Sequence, residues 1–238
     1  MTYLDIEHLE GIDEIVFQSR KPYPWVSADG LLTDQGHRRL LDTLPDLSQF
    51  ERQFGIKRAH GQKSHDRFGL EYHEDVNVSE AWHEFIEELR GKTYRDFLQR
   101  LFGRRSLKLN FHWHYTPRGC SVSPHCDAKH KLGSHIFYFN TDRDWDPSWG
   151  GQTLILDDGG RFNRRSAPKF EDFEGVTATQ ALGNCSLLFS RRKKSWHGVR
   201  ALRCPDRMFR KVFIVVITDG SLRRRVIMRL RGKKIATY

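Results

Sequence analysis

The first half of the chain contains two stretches in which apolar residues recur every three or four positions. The first can be capped by Asn77 or Ser79 and ends before Gly91, and its apolar positions are Trp82, Phe85, Ile86 and Leu89. The second ends before Gly103, and its apolar positions are Tyr94, Phe97, Leu98, Leu101 and Phe102. Such spacing places the apolar side chains on one face of a helix. Both stretches therefore predict amphipathic helices that pack against a core.

An earlier helix is predicted by its boundary residues. Thr33 and Asp34 can cap a helix that runs through Leu40 and Leu41, and Pro45 would stop it. With the two later helices, this gives residues 1–104 a mainly helical character.

From about Ser106 the pattern changes to short apolar or alternating runs separated by Gly, Pro, Asp and Asn, which is typical of strands and turns. Seven or eight strands are expected near 106–115, 120–127, 134–140, 152–157, 174–180, 185–190, 195–200 and 210–218. That number suits a two-sheet jelly roll, also called a double-stranded β-helix. The predicted fold class is α+β, with helices of the N-terminal half bracing one sheet face.

Length and composition indicate one domain. The 238 residues, 38% of them hydrophobic, can bury one sizeable core. We expect a helical part at 1–104, a jelly-roll core at 105–222 and a basic tail at 223–238. The N-terminus is acidic and no apolar run approaches the roughly 20 residues that span a bilayer, so a cytoplasmic protein without a membrane segment is predicted.

The net charge of +10 is concentrated in residues 191–194 and 223–234. Such runs can attract an acidic partner, but they are more often solvated surface. No nucleic-acid-binding signature accompanies the charge, which favours solvated surface over a nucleic-acid partner and leaves that partner as an open alternative. The four cysteines show no CxxC spacing and are interpreted as reduced thiols.

Candidate metal ligands occur at three positions. His125 and Asp127 are two residues apart, so in a strand both side chains leave the same face. His197, in a later predicted strand, can complete a set of two imidazoles and one carboxylate, which suits non-haem Fe(II). Taken singly, His125 could instead be a turn residue and His197 a core histidine.

Arg210, the first residue of the last predicted strand, is expected to bind a carboxylate group of a co-substrate. Arg207 and Lys211 compete for this role. Strand alternation argues against Lys211, because it points away from the face of Arg210. His112 and His114 are expected to face away from Tyr115 and are interpreted as surface or packing residues.

These motifs resemble those of the 2-oxoglutarate/Fe(II) dioxygenases, and among them the prolyl 4-hydroxylase-like branch. The resemblance covers about residues 107–219 and consists of five elements in the family's order, which are HCD at 125–127, IFYFN at 136–140, WGGQTLIL at 149–156, SWHGV at 195–199 and RKVFIVV at 210–216. It implies an enzyme that uses Fe(II), 2-oxoglutarate and O2, with metal ligands His125, Asp127 and His197.

The resemblance also implies roles for further residues. Tyr138 would bind the far carboxylate of 2-oxoglutarate beside Arg210, and Tyr115 would lie near its inner end. Asp127 fits a hydroxylase, because related halogenases have a small residue there. The expected reaction is hydroxylation of a C–H bond in a peptidyl or amino-acid substrate.

Alternatives that stay open are hydroxylation of a small natural product and a jelly-roll binding protein without turnover. Substrate choice is expected from three parts of the chain: the helical N-terminal part, the loop 141–151, and the Arg-rich segments 161–165 and 191–194.

Overall fold

A computed structural model describes residues 2–220 of the chain. Five helices lie in the N-terminal half, namely α1 (Ile6–Glu10), α2 (Glu14–Ser19), α3 (Asp34–Asp42), α4 (Glu80–Arg90) and α5 (Lys92–Phe102). The strands are β1 (Trp25–Asp29), β2 (Glu51–Gln53), β3 (Arg67–Glu71), β4 (Leu107–Pro117), β5 (Val122–His125), β6 (Lys131–Tyr138), β7 (Leu154–Asp157), β8 (Gly175–Ala178), β9 (Cys185–Ser190), β10 (Trp196–Val199) and β11 (Phe209–Asp219). The basic tail predicted at 223–238 lies outside the described residues.

The three predicted helices are confirmed as α3, α4 and α5. Thr33 caps α3, since its hydroxyl oxygen accepts a hydrogen bond from the Gly36 amide at 3.1 Å. Helix α3 ends at Asp42, three residues before Pro45. Helix α5 ends at Phe102 and is followed by Gly103, whose φ of 60° lies in the left-handed region that glycine adopts without steric cost.

The strands form two antiparallel sheets that face each other. The larger sheet has the order β1-β9-β6-β11-β4-β3-β2 and the smaller one β5-β10-β7-β8. Each of the eight predicted strands corresponds to one of β4 to β11, with shorter or shifted ends. The α+β class with a jelly-roll core is thereby confirmed.

Helices α4 and α5 cover the outer face of the larger sheet. The ring of Trp82 lies 5.1 Å from that of Phe213 and 5.2 Å from that of Trp113, and Phe85 packs against Phe137. These aromatic side chains are fully buried or nearly so. The alternate residues of the same strands point between the two sheets, so one sheet face serves packing and the other lines a cavity.

The N-terminal half is less helical than expected, because it also supplies β1, β2 and β3 to the larger sheet. Strand β1 pairs with β9, and β3 pairs with β4. The three residues of β2 are all polar, so that strand shows no apolar alternation. Its strand conformation depends on pairing with β3 across the chain.

No helix among residues 2–220 is long and apolar enough to cross a membrane. Residues 191–194, which form one of the basic runs, join β9 to β10. Part of this run has local structural roles, since Arg191 donates to the main-chain carbonyl of Asp127 at 3.3 Å and Arg192 to the side chain of Gln18 at 3.0 Å.

Candidate metal centre

The three predicted ligands converge between the two sheets. His125 ends β5 and lies directly opposite His197 of β10 in the strand register, while Asp127 follows two residues after His125. All three side chains are buried, and their candidate ligand atoms lie within 4.8 Å of one another. The antiparallel pairing of β5 and β10 therefore brings together His125 and His197, which are 72 positions apart in the chain.

Each histidine is oriented by its own strand. Nδ1 of His125 lies 3.0 Å from the carbonyl oxygen of Ser123, and Nδ1 of His197 lies 3.0 Å from that of Ser195. A carbonyl only accepts, so in both rings Nδ1 carries the proton and Nε2 keeps its lone pair. Hydrogen bonding of this kind sets the tautomer and ring orientation of metal-binding histidines.

The protonation states of the three side chains also favour metal binding. Burial lowers the pKa of His125 well below its ordinary value, and burial outweighs the opposing effect of Asp127 in lowering the pKa of His197. Burial alone would raise the pKa of Asp127, but Lys131 and His197 outweigh it and hold that pKa below the ordinary value. The centre thus offers two neutral imidazoles and one carboxylate, the protonation states that metal binding requires.

Two side chains that sequence reasoning did not assign hold Asp127 in place. Nζ of Lys131 lies 3.0 Å from Oδ1 of the carboxylate, and the Ser134 hydroxyl lies 3.5 Å from Oδ2. Lys131 and Ser134 both belong to β6, which follows the Asp127 loop.

A cavity of about 290 Å³ opens beside the three ligands. Two imidazoles and a carboxylate on one side of an ion leave coordination positions for other molecules, the arrangement found with non-haem Fe(II). The donor set, its burial and its protonation states therefore fit Fe(II).

Arg210 lies in the same cavity, at the start of β11. Its guanidinium donates to the carbonyl of Gly151 at 2.6 Å and to the Thr153 hydroxyl at 3.2 Å, and it lies 5.3 Å from the centre of the Tyr138 ring. Tyr138 donates its own hydroxyl to Thr153 at 2.8 Å. Thr153, directly after the Gly-Gly pair, was not singled out from the sequence.

The guanidinium of Arg210 is buried, yet no carboxylate within residues 2–220 forms an ion pair with it. Burial lowers its pKa because the charged form loses hydration. An isolated buried cation is costly, so an anionic ligand would stabilise this arrangement. Arg207, the alternative, is exposed in a turn with a φ of 69° and is not part of the cavity wall.

Tyr115 is not brought to the cavity. Its ring stacks on Phe50 with centroids 4.2 Å apart, and its hydroxyl donates to the carbonyl of Pro45 at 3.1 Å. Strand alternation instead turns His112 and His114 inward, so they line the cavity. The interpretation of these two histidines as surface or packing residues has to be corrected, although they do face away from Tyr115.

The cavity is covered by a segment that the sequence did not single out. Residues 58–66, between β2 and β3, contribute His65, whose ring lies 4.6 Å from that of His125 and whose Nε2 lies 3.1 Å from the Ser123 hydroxyl. Burial and nearby cations lower the pKa of His65 to about 2. Arg164, from one of the expected Arg-rich segments, also lines the cavity, whereas the loop 141–151 contributes only Gly151 through its contact with Arg210.

Comparison with known proteins gives structural likeness without sequence similarity. No protein-family model matches the chain, and no curated protein matches it. Among solved structures, a Trichoplax adhaerens prolyl hydroxylase in complex with a peptide fragment of the hypoxia inducible factor oxygen degradation domain aligns with a TM-score of 0.62 and 14% identity over 96% of this chain and 94% of that one.

Two other structures have similar scores. A Pseudomonas putida prolyl-4-hydroxylase has a TM-score of 0.58 and 14% identity, covering 87% of this chain and 98% of its own. The non-heme alpha ketoglutarate dependent carbocyclase SnoK from nogalamycin biosynthesis has a TM-score of 0.60 and 11% identity, covering 93% and 92%. The chain therefore has the double-stranded β-helix fold of prolyl 4-hydroxylase-like, 2-oxoglutarate-dependent enzymes.

Proposed function

We propose that the protein is an Fe(II)- and 2-oxoglutarate-dependent dioxygenase that hydroxylates a C–H bond. The observation that carries this proposal is the buried group of His125, Asp127 and His197, with ligand atoms within 4.8 Å of one another. The proposal is supported by the two Nδ1–carbonyl hydrogen bonds, which leave Nε2 of each histidine available. The fold shared with enzymes of this class supports it further.

The proposal assigns the cavity residues to two groups, one that holds the metal and one that binds the co-substrate. His125, Asp127 and His197 hold Fe(II), while Arg210, supported by Tyr138 and Thr153, binds the far carboxylate of 2-oxoglutarate. When bound, iron and 2-oxoglutarate supply the oxidation of a C–H bond by O2, with release of succinate and CO2. The protein orients these partners and limits the access of water.

The substrate that we propose first is a peptidyl or amino-acid side chain, because two of the aligned structures are prolyl hydroxylases. A small natural product is the second candidate. The alignment with SnoK favours it, as does a cavity of about 290 Å³, close to the lower end of the roughly 300–1,000 Å³ typical of ligand pockets.

The proposed function is tested by adding Fe(II) and 2-oxoglutarate without oxygen and recording the visible spectrum. We expect the weak metal-to-ligand charge-transfer band of the chelate in the unaltered protein and no band in His197→Ala. Admission of O2 should then give slow formation of succinate even without a primary substrate.

The alternative of a jelly-roll binding protein predicts a different outcome. Such a protein would bind the metal without producing the band and without consuming 2-oxoglutarate. His73→Ala serves as a control, because His73 is exposed and does not line the cavity. It should behave as the unaltered protein in both measurements.

A further inference from the structure

The cavity beside the metal ligands is strongly cationic. Two carboxylates line it, those of Asp66 and Asp127, against the five cationic side chains of Arg58, Arg67, Lys131, Arg164 and Arg210. The wall therefore has a formal excess of three positive charges. Bound Fe(II) would add two charges and 2-oxoglutarate would remove two, so the excess would remain after both had bound.

Two of these cations have no hydrogen-bond or ion-pair partner among residues 2–220. Arg67 donates to the carbonyl of His65 at 3.0 Å, Lys131 pairs with Asp127, and Arg210 donates to Gly151 and Thr153. Arg58 and Arg164 form no side-chain hydrogen bond or ion pair with any residue from 2 to 220, and the Nε atom of each is buried without a hydrogen-bond partner. Half-buried guanidinium groups in this state gain from an anionic ligand.

Arg58 and Arg164 come from two segments that meet over the cavity. The amide of Gln62 donates to the carbonyl of Ser166 at 3.4 Å, which links the segment of Arg58 to that of Arg164. Arg58 is close enough to the metal site for its charge to act on the pKa values of His125 and His197.

These two arginines lie on the other side of the metal site from Arg210. Strand β10, which carries His197, has β5 on one side and β7 on the other. The covering segment contacts β5, where His65 lies beside Ser123, whereas Arg210 donates to Thr153, the residue just before β7. Arg210 is therefore available to bind 2-oxoglutarate, and Arg58 with Arg164 is available to bind a different anion.

We propose that the primary substrate is a small molecule with a carboxylate or phosphate group, and that Arg58 and Arg164 bind this group. The proposal rests on the function proposed above and narrows its substrate class. A free amino acid has an α-carboxylate, whereas the α-carboxyl group of a residue inside a peptide is part of an uncharged amide bond. The modest cavity volume fits a small molecule better than a folded or polymeric substrate.

The test uses the anaerobic complex of the full protein with Fe(II) and 2-oxoglutarate, whose charge-transfer band changes when a molecule binds beside the metal. The carboxylate probes are the twenty L-amino acids, each paired with its carboxamide. The phosphate probe is O-phospho-L-serine, paired with L-serine. We expect at least one probe to shift the band in a saturable way, at least tenfold more tightly than its partner that lacks the carboxylate or phosphate.

Variants then locate the anion site. Arg58→Gln and Arg164→Gln should each weaken the effective probe at least tenfold, while Arg58→Lys should retain part of the affinity because it keeps the charge. The neighbours Lys57 and Arg165 are exposed and do not line the cavity, so Lys57→Gln and Arg165→Gln should have no effect. The concentration of 2-oxoglutarate that half-saturates the band should stay unchanged in all five variants.

Several results would overturn the proposal. Weaker 2-oxoglutarate binding in Arg58→Gln would assign this arginine to the co-substrate, and equal binding of acid and amide would remove the need for an anion. A band that responds only to a single-stranded oligonucleotide would indicate a polymeric phosphodiester substrate. A band that no probe shifts also contradicts the inference, whereas absence of the band itself overturns the proposed function.

Discussion

The two faces of the larger sheet differ sharply although the same strands form both. On the outer face, Trp113 and Phe213 pack against Trp82 of α4. On the inner face, His114 of β4 and Arg210 of β11 line the cavity instead. Alternation along each strand thus separates the residues that stabilise the fold from those that line the cavity, and substitutions on the two faces should have different effects.

The largest effect is expected from the inner face. His197→Ala removes one of the three proposed metal ligands, so we expect Fe(II) binding and succinate formation to fall at least a thousandfold. The thermal midpoint of the metal-free protein should change little, because the outer-face core is untouched. Iron content and succinate are measured together with the melting curve. A variant that melts far earlier would show that this histidine also supports the fold.

The next effect is expected from the outer face. Trp82→Ala removes a fully buried ring and should lower the free energy of unfolding by about 3–5 kcal/mol. Urea denaturation measures this change. Fe(II) binding by the fraction that stays folded should be nearly normal, and loss of metal affinity in the folded fraction would contradict the separation of the two faces.

A smaller effect is expected at the far end of the cavity. Arg210→Gln removes the buried cation that we assign to 2-oxoglutarate and should raise the half-saturating co-substrate concentration about a hundredfold, which corresponds to about 2.7 kcal/mol. Fe(II) affinity should be nearly unchanged. Arg207→Gln is the matched control, because Arg207 is exposed. If only the Arg207 variant shows the effect, the assignment of Arg210 is wrong.

The smallest effect concerns the stability of the fold at acidic pH, through His135 on the outer face of the larger sheet. Burial lowers the pKa of His135 to about 3, and its Nδ1 lies 2.8 Å from the Tyr94 hydroxyl. As pH falls below about 6.5, the unfolded chain takes up a proton at this residue and the folded chain does not, so stability is lost. Between pH 7 and pH 5 this loss should amount to about 2 kcal/mol.

His135→Gln cannot be protonated and keeps a polar group near Tyr94. Its free energy of unfolding, measured by urea titration at pH 7 and pH 5, should therefore fall about 2 kcal/mol less than that of the unaltered protein. Equal pH dependence in the two proteins would show that His135 is already accessible to protons in the folded state.

Much of the fold could be predicted because its signals are local. The helical spacing around Trp82 and the Gly and Pro residues between strands act within a few positions of the chain. Strand β2 (Glu51–Gln53) could not be predicted, since its conformation depends on pairing with β3. The same limit applies to the covering segment, whose position over His125 follows from contacts such as His65 with Ser123.

For the site, the motif spacing singled out the three candidate metal ligands that the structure brings together, but not every neighbour. Alternation correctly separated His112 and His114 from Tyr115, but it does not say which face of β4 is internal. The stripe that contains Phe111, Trp113 and Tyr115 is the more apolar one and packs on the helical side. Comparing the apolar content of the two stripes would have assigned the histidines to the cavity.

The orientation of the two imidazoles has a calorimetric consequence. Because Nδ1 of His125 and His197 donates to a main-chain carbonyl and Nε2 is already deprotonated, while Asp127 is already ionised, no ligand has to lose a proton when iron arrives. The heat of metal binding near neutral pH should accordingly be the same in buffers with very different ionisation enthalpies. The three side chains thus carry no proton on their metal-facing atoms even in the metal-free protein.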